Sequence, residues 1–147
     1  MLTDTLEATR QSGPVWLGVH CCGNTDWSLL LDLPLDILSF DAYGYFESLT
    51  LYDGHLRRFL DRGGWLAWGL VHTGVELKAE TADSLWERFR AQVEALSARG
   101  MAVKEILSRI LLTPACGLGY LDPETATRAL ALLSDLSARG RRWLAAT

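Results

Sequence analysis

His20 and Cys22 stand two residues apart in the stretch Gly18-Val19-His20-Cys21-Cys22-Gly23-Asn24. On a β-strand, side chains at i and i+2 project from one face, so this imidazole and this thiol can be aimed at one object while Cys21 turns the other way. A soft nitrogen/sulfur pair held at a strand end is the beginning of a zinc site. Two ligands do not hold the metal alone, so the others must come from elsewhere in the chain. Asp41, His72 and Cys116 are the candidates, because each follows an apolar run of strand type.

The elements that would position these residues can be read from apolar spacing and turn chemistry. Residues 1–12 suit a helix ending near Gly13-Pro14, and Val15 to Val19 is a short β-type run. Gly23 to Asp26 reads as a turn, with Thr25 or Asp26 capping a short helix from Trp27 to Leu31 that Pro34 closes. Asp36 to Asp41 is a second strand, apolar enough to be covered on both faces. Residues 42–50, rich in aromatic and small side chains, read as a loop. A helix from Gly54 to Asp61 stops at Gly63-Gly64. Trp65 to Val71 is the third strand, followed by a loop through His72 and a longer helix over roughly 81–99. There Leu85, Trp86, Phe89, Val93 and Leu96 recur at helical spacing. Residues 102–109 suit a short helix less decisively. Ile110 to Thr113 is the fourth strand, and a last helix spans about 123–138.

Strand and helix alternate four times, which predicts an α/β fold with a parallel sheet covered by helices. In such folds the chemistry gathers at the C-terminal ends of the strands. His20 and Cys22, Asp41, His72 and Cys116 would then share one rim.

With 147 residues, 49% of them hydrophobic and 22% charged, the chain has the length and composition of one globular domain, 1–147. A net charge of −4 with interspersed signs offers no nucleic-acid face and no basic membrane surface. The apolar runs are broken well short of a membrane span. The acidic start, Met1 to Glu7, has no apolar signal core. Three cysteines, two of them adjacent, make a poor disulfide framework, so a reduced, cytoplasmic setting with a metal role is expected.

Three short motifs in order, His20-Cys21-Cys22, then Asp36-Ile37-Leu38-Ser39-Phe40-Asp41, then Thr113-Pro114-Ala115-Cys116-Gly117-Leu118, resemble the zinc-binding half of the cobalamin-independent methionine synthase family and its shorter, corrinoid-linked relatives. The superfamily also includes the uroporphyrinogen decarboxylase barrel. Its thiol-methylating members show a His-x-Cys strand end, an acidic residue about twenty positions on, and a late Cys-Gly after an Asn-Pro-type turn. The likeness runs from about residue 13 to 138. It implies about four βα units like the C-terminal half of a (β/α)8 barrel, with His20, Cys22 and Cys116 as zinc ligands. Asp41 takes the place usually held by a Glu ligand; Asp is one methylene shorter, and Glu47 or Asp36 are alternatives for that role. The implied activity is methyl transfer to a small homocysteine-like thiol from a methylated folate or a corrinoid protein. With about four of eight strands, the chain either belongs to a longer protein that supplies an N-terminal half-barrel or completes itself as a homodimer.

In that reading the carboxylate is the ligand an incoming thiol displaces, and His72 is a substrate contact or a plain loop residue. The other class of function is a catalytically incomplete half-barrel that holds zinc structurally or serves in assembly. A metal-free, decarboxylase-like chain is a third reading. Other residues have plainer roles: Cys21 as packing, His55 as helix surface, Trp65 and Trp68 as core on opposite faces of their strand. Tyr43, Tyr45 and Phe46 either wall a pocket or pack. Asn24 and Asp26 read as turn and cap residues that could also brace His20. Gly117-Leu118-Gly119 is too short for a phosphate loop and lets the backbone come close to a metal or ligand. No Ser/His/Asp arrangement, Walker sequence or dinucleotide fingerprint stands out.

Overall fold

Four short apolar runs pair into one sheet in a computed structural model of the chain, which describes residues 2–147. They are β1 (Gly18–Cys21), β2 (Ile37–Phe40), β3 (Trp65–Val71) and β4 (Ile110–Pro114). All are parallel, in the spatial order β1-β2-β3-β4. Seven helices intervene among the described residues: α1 (Leu2–Gln11), α2 (Trp27–Leu31), α3 (Ala42–Thr50), α4 (Asp53–Asp61), α5 (Ala82–Ala98), α6 (Val103–Ser108) and α7 (Pro123–Ala146). A 3-10 turn, Val75–Lys78, follows β3. The mixed α/β class and the parallel sheet are as the alternation predicts. Among the described residues, no helix is long and apolar enough to cross a membrane.

Parallel strands joined in sequential order by right-handed crossovers send every connection to the same side of the sheet. The packing agrees. Leu38, Phe40, Leu66, Trp68 and Leu70 join one core cluster with Trp27 and Leu31 of α2, Leu49 of α3, Phe59 of α4, Phe89 and Val93 of α5, and Leu136 of α7. Residues of the other parity lie on the opposite face. One row there runs His20–Ser39–Ala67–Leu111, and Gly69 pairs with Thr113 in the next. Leu111 is 44% exposed, so the helix-free face stays partly open at β4.

Trp68 shows how the core is tied to the rim. Its ring is fully buried, and its indole N–H donates to Gln92 Oε1 at 2.8 Å. Gln92 Nε2 donates in turn to the Ala42 carbonyl at 2.7 Å, where α3 begins. A buried indole is thereby satisfied, and α5 holds the start of α3 in place.

Several boundaries differ from the sequence reading. Pairing begins at Leu17, whose carbonyl accepts from Asp36 and Ile37 N–H, so β1 lies later than Val15–Val19 and the exposed Val15 and Trp16 precede it. Residues 42–50 form a helix, not a loop, because the Asp41 side chain caps it. The final helix runs on to Ala146, with Trp143 packed edge-on to Trp86 and Phe89. Trp65 is half-buried under the Arg109 guanidinium and is not core; Trp68 is. Met1 of the expected first helix lies outside the described residues.

Candidate metal centre

His20 sits inside β1, and its side chain projects from the helix-free face beside Ser39 of β2. The Ser39 hydroxyl lies 2.8 Å from His20 Nδ1. A metal at Nε2 requires the ring proton on Nδ1, and Ser39 Oγ is placed to accept it there, which holds the ring's orientation. Cys22 follows β1 directly and is exposed. The turn after it is anchored at both ends. Asn24 Oδ1 accepts from the Ser48 hydroxyl of α3 at 2.5 Å, and Asp26 caps α2 by accepting from Ser28 N–H at 3.1 Å. Asn24 therefore braces the turn, while the residue that holds His20 is Ser39.

Cys116 arrives from the far edge of the sheet. β1 and β4 are the two outer strands, so their ends would be well separated in a flat sheet with strands about 4.8 Å apart. The chain after β4 instead folds back over the top of β3. Gly69 makes this possible: a Cβ there would sit 2.5 Å from the Phe40 carbonyl oxygen and 2.8 Å from Ala115 Cα. The register between β3 and β4 shifts at this point, between Gly69 and Val71, and Ala115 N–H donates to the Val71 carbonyl at 2.8 Å. A glycine inside a strand of bulky apolar residues thus marks a close backbone crossing.

The crossing brings Cys116 Sγ to 3.9 Å from His20 Nε2. The ligand atoms of His20, Cys22 and Cys116 all lie within 4.8 Å of one another. Tetrahedral coordination with bonds of about 2.3 Å to sulfur and 2.0–2.1 Å to nitrogen places ligand atoms roughly 3.5–3.8 Å apart. The group needs only a small contraction to reach that spacing, so these three residues could hold a metal ion.

Electrostatics point the same way. The Cys116 thiol is pushed up to about 11, first by burial, then by its hydrogen bond to Cys22 and the negative charges of Cys22 and Asp41. A bound cation would reverse that pressure and let the thiols ionise. Beneath the group in β4, Thr113 Oγ1 is a buried side-chain oxygen without a hydrogen-bond partner among the described residues, three residues before Cys116 and level with Gly69. Buried hydroxyls normally find partners.

The structure brings together three of the five candidate residues. Asp41 is buried and close enough for its charge to be felt at Cys116, but it is not one of the grouped ligands. Its Oδ1 accepts from Gly44 N–H at 2.8 Å as the N-cap of α3. His72 stands apart, and its Nδ1 is occupied: Gly74 N–H donates to it at 2.9 Å, and Glu76 Oε2 also lies 2.9 Å away. Its ring lies 4.9 Å from that of Tyr43. Tyr43 itself donates to Glu80 Oε1 at 2.6 Å and lies under the Arg88 guanidinium. Cys21 turns from the cluster as its strand parity predicts, packing toward the core and donating to the Gly23 carbonyl at 3.4 Å. Ser39, Gly69 and Thr113 escaped the sequence reading. Period-two spacing from Asp41 could have placed Ser39 on the right face, and the isolated glycine of β3 was a usable signal.

Comparison of the chain with protein-family models, with curated proteins and with solved structures finds no match.

Proposed function

We propose that the chain binds zinc through His20, Cys22 and Cys116 and presents it to a small thiol for S-methylation. The observation that carries this reading is the convergence of one imidazole and two thiols, all within 4.8 Å, from residues nearly a hundred positions apart. Sulfur and nitrogen donors in tetrahedral reach suit zinc, and three protein ligands leave a fourth position for an exchangeable one. Zinc bound there supplies Lewis acidity that keeps a coordinated thiol as the thiolate. Ser39 Oγ can accept from His20 Nδ1–H, which leaves Nε2 free as the donor to the metal. Cys22 and Cys116 bind as thiolates, each giving up its proton as the metal enters. Asp41 acts from beside the group, with its Oδ1 committed to the cap of α3. The fourth position is then open to the substrate thiol. The methyl donor in this reading is a methylated folate or a corrinoid protein.

A second reading has its own observation. The β1 and β4 edges have no strand partner among the described residues, and the helix-free face is partly open at Leu111. A half of a (β/α)8 barrel has this form, completed by a second copy or by a separate half, and zinc then serves structure. Elemental analysis of the purified chain with its mass in solution tests both. The expected result is one zinc per chain, lost in Cys22→Ser and Cys116→Ser while helical content is kept. Full zinc content in both variants would overturn the ligand assignment. Zinc-dependent methylation of a thiol by methylcobalamin or methylated folate separates the catalytic reading from the structural one.

A further inference from the structure

We infer that Cys22 and Cys116 are a redox pair that closes to a disulfide and so ejects whatever metal they hold. The inference rests on the metal reading only for its second half, because the sulfur pair stands by itself. The two thiols lie within 4.8 Å of each other. They approach from different directions, one at the end of β1 and the other from the segment that crosses over Gly69. Neither sulfur is locked in the core: Cys22 is exposed and Cys116 half-buried. Both belong to short segments beyond the strands, where a small shift costs less than in a ladder. Cys21 is excluded from the exchange by its position, since its thiol faces the core side and is engaged with the Gly23 carbonyl. Adjacent cysteines are thus sorted by strand parity into one inert and one reactive thiol.

The chemistry balances with a peroxide as oxidant. Exposed Cys22 attacks hydrogen peroxide, takes one oxygen to become the sulfenic acid, and one water leaves. Cys116 Sγ then attacks the Cys22 sulfur, the S–O bond breaks, and the hydroxide departs with the Cys116 proton as a second water. Two thiols and one peroxide give one disulfide and two waters. When the thiols begin as metal-bound thiolates, two protons are taken up from solvent and the divalent cation is released. A bound metal therefore slows the reaction, and the reaction abolishes the site. His20 alone remains, and one imidazole does not hold zinc.

The test uses the full chain, loaded with one equivalent of zinc or metal-free, exposed to low hydrogen peroxide under native conditions. Free thiols are counted, intact mass is recorded, and released zinc is read with a chromophoric chelator. The expected result is a 2 Da loss with a Cys22–Cys116 cross-linked peptide, one thiol remaining on Cys21, and zinc release in step with thiol loss. Cys116→Ser should stop at the sulfenic acid, with a gain of about 16 Da, or go on to the sulfinic acid, with about 32 Da, and Cys21→Ser should behave as the wild type. A Cys21–Cys22 bridge would overturn the inference, and so would oxygen addition without cross-linking in the metal-free wild type. If cross-linking occurs in a chain that never took up zinc, the redox pair stands and the metal reading falls. If zinc binds but no cross-link forms, the reverse holds.

Discussion

Gly69→Ala isolates the element on which the site depends. The added methyl would lie 2.5 Å from the Phe40 carbonyl oxygen, 2.8 Å from Ala115 Cα and 3.2 Å from Asp41 Cα. Ordinary contact begins near 3.4 Å, so the shortfalls are about 0.9, 0.6 and 0.2 Å. All three neighbours are backbone, and none can swing aside as a side chain would. Phe40 is held in the sheet and fully buried, whereas Ala115 belongs to the crossing segment, which is the part able to give. Overpacking of this kind costs about 1–3 kcal/mol of stability. The functional effect should be larger in proportion, because Cys116 is the next residue and must move with Ala115. An outward shift of about 0.6 Å adds to the contraction the group must make on binding, so zinc binding should weaken roughly 10- to 100-fold, the range seen when a ligand's support is lost. Chelator competition measures the affinity and urea unfolding of the metal-free chain measures the stability. Zinc affinity within a factor of about three of wild type, in a variant destabilised as expected, would refute the claim that the crossing at Gly69 sets the geometry of the centre.

Three other residues give separable outcomes. Ser39→Ala should weaken zinc binding about tenfold through loss of the His20 Nδ1 partner while leaving the unfolding midpoint nearly unchanged; unaltered affinity would mean that Ser39 does not orient the ring. Asp41→Ala should cost about 1 kcal/mol through the lost cap of α3 and weaken zinc less than either Cys→Ser variant; an equal or greater loss of zinc would make Asp41 a ligand after all. Glu80 carries a pH signature. Burial alone would raise its carboxyl, but the hydrogen bonds from Ser84 and Tyr43 and the charges of Arg88 and His72 outweigh it and hold the group below its ordinary 4.5. A depressed carboxylate contributes stability that is fully present above the unfolded value and lost as pH falls through the folded one. Urea midpoints measured downward from pH 6 should therefore fall more steeply below about pH 4.5 for wild type than for Glu80→Gln, and parallel curves would remove Glu80 from the account.

What the sequence made legible, and what it hid, divides along the range of the forces involved. Strand parity is local and rigid, so His20 and Cys22 could be assigned to one face and Cys21 to the other without any fold. The parallel sheet followed from the same kind of evidence, since its alternation of apolar runs and capped helices is written residue by residue. The loop expected over residues 42–50 failed for an equally physical reason. Asp41 has two uses open to it, metal ligand and helix cap, and the second depends on the position of the Gly44 N–H, which the sequence does not give. Once the carboxylate caps, the aromatic run behind it becomes a helix whose buried face, Ala42, Phe46, Leu49 and Thr50, has helical spacing that Tyr43 and Tyr45 mask in the sequence.

The meeting of Cys116 with His20 was harder still to read, because strand order places their elements at opposite edges of the sheet. Strand-end logic assigns both to one rim but says nothing of how the width of that rim is crossed. It is crossed by backbone, over a glycine whose only contribution is the absence of a side chain, and no ligand motif contains that glycine. The centre is therefore best understood as a consequence of the β3–β4 irregularity at Gly69 and Val71: the shift lets the chain leave β4 early and turn inward. A substitution that restored regular pairing there would lengthen β4, carry Cys116 outward along its own edge, and leave His20 and Cys22 as an unfinished pair.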